Sequence, residues 1–207
     1  MCPGLCPLSG NNSPTQDTSS REDHIMPFVT RDGARYKRNL PHYRTPGGTY
    51  HVRFSIADPA CKLTSGWMYQ IIEEEVLRLH KNGYLLFAYV IMSTHTHAVF
   101  QPLPESPNPL DWGDYRKYAS LETLIGRIKG RSARFINRRM RRCGNLWLPE
   151  SFDRTIRGDK DLAEVIDYIH HNPVRWRLVD RPEEYRWSSI NTIYSGRAEY
   201  RGWFNWP

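Results

Sequence analysis

Tyr84-Leu-Leu-Phe-Ala-Tyr-Val-Ile-Met92 is followed, after the polar pair Ser93-Thr94, by His95-Thr-His-Ala-Val-Phe-Gln101. The first run is apolar or aromatic throughout, which suits a central strand, and the second reads as its hairpin partner. Towards the N-terminus, Tyr50, Val52, Phe54 and Ile56 alternate with His51, Arg53 and Ser55 in Gly48–Ile56, the period of a half-buried strand. Between this strand and the hairpin, Thr64 or Ser65 can cap a helix running to about Lys81. Met68, Ile72, Val76 and Leu79 form its apolar stripe, and Gly83 is expected to end it. Towards the C-terminus, Pro102–Pro109 reads as a loop. A helix from about Leu121 to Arg142 follows, then a connection marked by Gly and Pro. A shorter helix begins near Asp159 and is expected to end before Pro173. Strands interleaved with helices around a central hairpin imply an α+β fold, an antiparallel sheet with helices packed on it.

Residues 1–35 are rich in Ser, Pro, Asn, Thr and Gly and show almost no apolar periodicity. Such a segment gains too little from burial to offset its ordering entropy, so a flexible tail is expected, followed by one domain over residues 36–207 with an aromatic-rich C-terminal extension. With 39% hydrophobic and 13% aromatic residues, the chain has enough apolar side chains for a core. Its formal net charge of +7 and pI near 9.3 suit a polyanion, either nucleic acid or an anionic membrane surface. No apolar run is long enough to span a membrane, and the first residues lack a signal-peptide pattern. Cys2, Cys6, Cys61 and Cys143 are too scattered for a disulfide framework, which points to a reducing cytoplasm.

Three constellations carry possible chemistry. His95 and His97 are two apart on a strand, so both imidazoles project from one face, where they can share a divalent ion or serve as ordinary hydrogen-bonded residues. In Asp159–Pro173, Leu162, Val165, Ile166 and Ile169 define a buried helical face. Tyr168 stands at the edge of that face, with Asn172 one turn later. This geometry suits a packed tyrosine with its hydroxyl in water or a phenol nucleophile, the Asn172 oxygen being a possible hard ligand. Arg127, Arg131, Arg134, Arg138 and Arg141 recur at spacings of 4, 3, 4 and 3, widened by Lys129, Arg139 and Arg142, with no acidic residue between. Like charges at this spacing repel, so the stripe is better explained by phosphate contacts than by solvation. Leu124, Ile125, Ile128 and Phe135 supply the apolar side of that helix.

The pieces occur in a particular order. Leu40-Pro-His-Tyr43 and Gly47-Gly-Thr-Tyr-His-Val52 precede Ala88-Tyr-Val-Ile-Met92 and His95-Thr-His97. Lys129-Gly-Arg-Ser-Ala-Arg-Phe-Ile-Asn137, Phe152-Asp-Arg-Thr-Ile-Arg157, Tyr168-Ile-His-His-Asn-Pro-Val174 and Tyr185-Arg-Trp-Ser-Ser189 follow. Over about three quarters of its length the chain resembles the REP-associated tyrosine transposases, a single-tyrosine branch of the HUH endonucleases. The resemblance implies a ferredoxin-like domain, with His95 and His97 as ligands of Mg²⁺ or Mn²⁺ and Tyr168 as nucleophile. Asn172 falls where a third, amide-bearing ligand is often found. The implied partner is single-stranded DNA carrying a hairpin, cut through a 5′-phosphotyrosine intermediate. A monomer is implied, with a dimer left open because in some relatives the tyrosine helix serves a partner's histidines. The chain departs from the family at Thr96, where a bulky hydrophobe is usual, and at Ser93-Thr94, where a Pro-Asn-like turn is usual. Both departures fall in the hairpin that aims the histidines. A DNA-binding protein without catalysis would need only the arginine helix, and a water-using metal nuclease only the histidines.

Overall fold

The computed structural model describes residues 47–58, 61–105, 108 and 114–192. The expected N-terminal tail and the last aromatics, Trp203 and Trp206, lie outside the described residues. Four strands, β1 (Tyr50–Ile56), β2 (Tyr84–Ile91), β3 (His95–Pro102) and β4 (Trp147–Thr155), form one antiparallel sheet in the order β2-β3-β1-β4. Three longer helices, α1 (Gly66–Arg78), α2 (Leu121–Met140) and α3 (Gly158–Arg175), and a short α4 (Ser189–Thr192) complete the α+β fold. The succession β1-α1-β2-β3-α2-β4 with this strand order is ferredoxin-like.

The sheet is covered on both faces, and side-chain alternation divides β2 and β3 between two cores, whereas β1 and β4 give buried apolar side chains only to the larger one. Tyr50, Val52, Phe54 and Ile56 of β1 join Tyr84, Leu86, Tyr89, Ile91, Ala98 and Phe100 in a larger core closed by α1 and α2. Ala88, Val90, Met92 and Val99 face the other way, onto Val165 and Ile169 of α3. A bulge between Leu86 and Ala88 switches the parity of β2, so that Tyr84 and Leu86 before it share the larger core with Tyr89 and Ile91 after it. Within the larger core, Tyr84 stacks on Phe100 at 4.4 Å and donates its hydroxyl hydrogen to Val76 O at 2.6 Å. Trp147 Nε1 donates to Ser132 Oγ at 3.0 Å, pinning β4 to α2.

Five sequence expectations are corrected. The run Tyr84–Met92, read as a central strand, is β2 at one edge of the sheet, apolar because both of its faces are packed and partly covered along its edge by the Val90–Ser188 bridge. The connection before Asp159 contains β4, whose residues are mostly exposed and include Pro149 and three charged side chains, a composition tolerated only at a sheet edge. The helix α3 runs through Pro173 to Arg175 instead of stopping before it. Proline removes one hydrogen bond close to the helix end, and the chain recovers by a tight cap: Arg177 N–H bonds Val174 O at 2.9 Å and Leu178 N–H bonds Pro173 O at 2.9 Å, with Arg177 at φ 54°. After α1 the left-handed residue is Lys81 at φ 64°, not Gly83. Gly83 lies against α2, and a Cβ there would press on Leu124 Cδ2 at 3.1 Å. Phe135, placed on the apolar side of α2 by its spacing, is 44% exposed, and Ile136 is the buried neighbour.

Candidate active site

His95 and His97 point from β3 to the α3 side of the sheet, both almost fully buried, with ring centroids 5.0 Å apart. Each ring is held through Nδ1. Thr94 Oγ1 lies 3.0 Å from His95 Nδ1, and His51 Nε2 lies 2.9 Å from His97 Nδ1. Both Nε2 atoms are thereby left to face outward, and a contact on Nδ1 of this kind fixes the tautomer and orientation of an imidazole. The turn before them is well anchored despite its unusual sequence. The carbonyls of Ser93 and Thr94 accept from Leu63 N–H at 2.8 Å and Ile56 N–H at 2.7 Å. Thr96 points the other way, fully buried, and its Oγ1 has no hydrogen-bond partner.

The helix α3 crosses this face and brings Tyr168 and Asn172 to the histidines. The Tyr168 ring is half-buried, 5.9 Å from His97 and 6.4 Å from His51, and Arg175 stands over its outer side at 4.7 Å. Its hydroxyl makes no hydrogen bond among the described residues. Asn172 is 2% exposed, and its Oδ1 is buried without a hydrogen-bond partner. That oxygen adjoins His95 closely enough to favour the charged imidazole, though it is not aligned as a hydrogen bond. An orphaned amide oxygen beside two imidazoles with free Nε2 atoms is a donor set suited to a hard divalent cation. Among the described residues no group of three His, Cys, Asp or Glu side chains is arranged to hold a metal ion.

Burial holds these imidazoles neutral. His51 and His95 are each lowered to about 4 by desolvation first, then by neighbouring arginines, and His97 falls well below its ordinary value for the same leading reason. Neutral rings are the ligating form.

Two residues of this site were not singled out in the sequence. His51 and Arg53 occupy the alternate face of β1, which reads as solvent-facing but lies under the α3 side. His51 is 8% exposed and stacks on His97 at 5.1 Å. Arg53 is exposed, pairs in register with His97 on one side and Phe152 on the other, and makes no ion pair or hydrogen bond among the described residues. Its charge depresses all three histidines. The nearby Arg154, by contrast, is tied to Asp161 at 2.8 Å. The motif residue Ser189 has a structural task, holding Tyr89 N–H at 3.0 Å and His170 Nε2 at 2.7 Å. Tyr185 is an unsuitable alternative nucleophile, since its hydroxyl donates to Ile91 O at 2.9 Å and burial raises its pKa.

The basic stripe is not brought to this site. Helix α2 packs with α1 on the opposite face of the sheet. Three of its members are engaged within the chain, Arg139 by its guanidinium lying 4.4 Å over the ring of Trp67. Arg131 Nε donates to both oxygens of buried Glu75 at 2.8 and 3.0 Å, and Lys129 Nζ donates to Leu148 O and Pro149 O at 2.6 and 2.9 Å. Arg127, Arg134, Arg138 and Arg141 are exposed and have no partner among the described residues. No described helix is long and apolar enough to cross a membrane.

No family model matches the chain. It is 26% identical over 161 residues to a Haemophilus influenzae protein named for the REP-associated tyrosine transposases, covering 76% of this chain and 86% of that one. It is 21% identical over 154 residues to the REP-associated tyrosine transposase of Escherichia coli, covering 72% and 80%. Among solved structures, a REP-associated tyrosine transposase bound to a REP hairpin matches with a TM-score of 0.59 at 20% identity, covering 84% of this chain and 91% of that one.

Proposed function

We propose, on the premise that this chain resembles the REP-associated tyrosine transposases in sequence and in fold, that it is a transposase which cuts and rejoins single-stranded DNA beside a hairpin. The observation that carries the reading is the meeting, on one sheet face, of a half-buried tyrosine with two neutral imidazoles and an orphaned amide oxygen. A free phenol, with a pKa near 10, is a feeble nucleophile and needs an electrophile prepared for it. Mg²⁺ or Mn²⁺ would be held by His95 and His97 with Asn172 as third ligand, and when bound supplies Lewis-acid polarisation of the phosphate.

The chain's own groups do the rest. Tyr168 Oη attacks phosphorus, the bond from phosphorus to the 3′-oxygen breaks, the phenolic proton passes to water, and the departing oxygen takes up a proton. The products are a 5′-phosphotyrosine on the protein and a free 3′-hydroxyl on the DNA. Because the phosphoester is conserved, a second 3′-hydroxyl can reverse the step and join strands without ATP. The unpaired guanidinium of Arg53 is placed to offset charge that builds on the non-bridging oxygens. On the far face, Arg127, Arg134, Arg138 and Arg141 are available to phosphates away from the cut.

The test is a single-stranded oligonucleotide with a candidate hairpin, incubated with Mn²⁺ and resolved in SDS. A 3′ label is expected to migrate with the protein and a 5′ label to be released, while Tyr168→Phe binds the DNA but forms no adduct. Cleavage without an adduct, unaffected by Tyr168→Phe, would identify a water-using nuclease. An adduct undiminished in the Phe variant would remove Tyr168 from its role.

A further inference from the structure

Two large aromatic side chains stand exposed at the two ends of the row of imidazoles. Trp176 is 63% exposed, with its ring 6.1 Å from His95. Phe152 is 48% exposed, with its ring 6.3 Å from His51. Ring by ring the row runs Phe152, His51, His97, His95, Trp176, each centroid 5.0 to 6.3 Å from the next. Neither aromatic is held there by loose chain. Phe152 lies in the β4 ladder opposite Arg53, and Trp176 caps α3, its N–H bonding Asn172 O at 3.1 Å. The same tight cap that carries the helix past Pro173 therefore fixes Trp176 beside the residues meant to receive a phosphate.

The surroundings specify the occupant. Arg53 lies between Phe152 and His97 in the cross-strand row, and Arg175 immediately precedes Trp176, so cationic groups alternate with exposed rings. A surface of this kind suits a polyanion whose flat apolar groups are unpaired. A duplex hides its bases within the stack and offers the rings nothing to cover.

We propose that Trp176 and Phe152 are stacking platforms for unpaired nucleobases on either side of the phosphate that lies over the histidines. This rests on the single-strand reading above but concerns binding, not cutting. Sequence-tolerant stacking would let the site hold whatever bases border the cut, leaving recognition to other contacts.

Fluorescence anisotropy with labelled oligothymidylate, in EDTA so that no cleavage intervenes, tests it on the full chain. Trp176→Ala and Phe152→Ala are each expected to weaken binding about tenfold, within the roughly 5- to 150-fold range of one lost stacked base. Trp176→Tyr and Phe152→Tyr should restore most of the loss, whereas Leu, apolar but without a π face, should not. An abasic oligonucleotide has the same phosphates, so the parent should prefer oligothymidylate to it and the Ala variants should lose that preference at unchanged salt slope. Parental affinity in the Ala variants, rescue by Leu, or equal losses on the abasic strand would each overturn the proposal. Because Tyr168→Phe is measured in the same assay, failure of the adduct experiment and failure of stacking are read separately.

Discussion

Acid is expected to unfold the metal-free protein through its imidazoles. His51, His95 and His170 are each held at about 4 against an ordinary 6.5, mainly by burial. The unfolded chain regains the ordinary value, so between about pH 6.5 and 4 it is the unfolded state that takes up protons. The stabilising contribution is therefore complete above pH 6.5 and is lost as the pH falls towards 4. For one such group the step from pH 7 to 5 costs about 2 kcal/mol, with a slope near ~1 kcal/mol per pH unit at the lower end. Three groups acting together reach roughly 5 kcal/mol, comparable to the whole stability of many domains. Urea denaturation in EDTA at pH 7, 6 and 5 measures this directly. His170→Gln, away from the candidate ligands, should remove about a third of the pH dependence. A stability that changes by less than about 1 kcal/mol across this window would refute the claim that these rings are desolvated.

Thr96→Val is expected to raise Tm by about 2–4 °C, since it removes a buried hydroxyl without a partner while keeping the shape; calorimetry showing a lower Tm would mean the hydroxyl is satisfied. His51→Ala should loosen His97 and weaken Mn²⁺ binding about 10- to 100-fold, measured by titration calorimetry, with unchanged affinity arguing against the 2.9 Å contact as a support. The arginine stripe should divide in two. Arg134→Ala and Arg138→Ala should each flatten the log–log salt dependence of single-strand binding by about 0.7 without affecting stability. Arg131→Ala should chiefly lower stability, by about 1–2 kcal/mol, because Glu75 keeps only its Arg78 partner at 2.8 Å; a loss of salt slope in that variant alone would reverse the assignment.

The hairpin was legible because its first strand is an apolar run ended by two polar residues, and β1 and the two longest helices by their periodicity. That β2 lies at an edge was not legible, because packing on both faces makes an edge strand read as a central one. β4 was not, since an edge strand needs neither alternation nor an apolar face and Leu148-Pro-Glu-Ser151 has neither. The stop placed before Pro173 assumed that an absent N–H ends a helix, whereas near a C-terminus one missing bond is small beside the cap that follows. Tyr168 at the rim of its apolar stripe and Asn172 one turn on were visible from helical spacing. His51 and Arg53 were hidden by the reading of β1 as half-buried: alternation reports that two faces differ, not that the polar one meets solvent. That α2 and the histidines occupy opposite faces is tertiary information, carried by the parity of β3, which feeds both cores.

That partition has a geometric consequence for a DNA molecule engaged by both faces. Nothing passes through a packed sheet, so a strand held on α2 and attacked by Tyr168 has to travel around an edge or an end of it. Helix–sheet layers lie on the order of 10 Å apart, so the detour occupies several nucleotides. The protein would then act as a ruler. The distance from the gripped element to the cut would be set by the thickness of the fold, and a shortened linker in the DNA would leave the scissile phosphate out of reach, whatever its sequence.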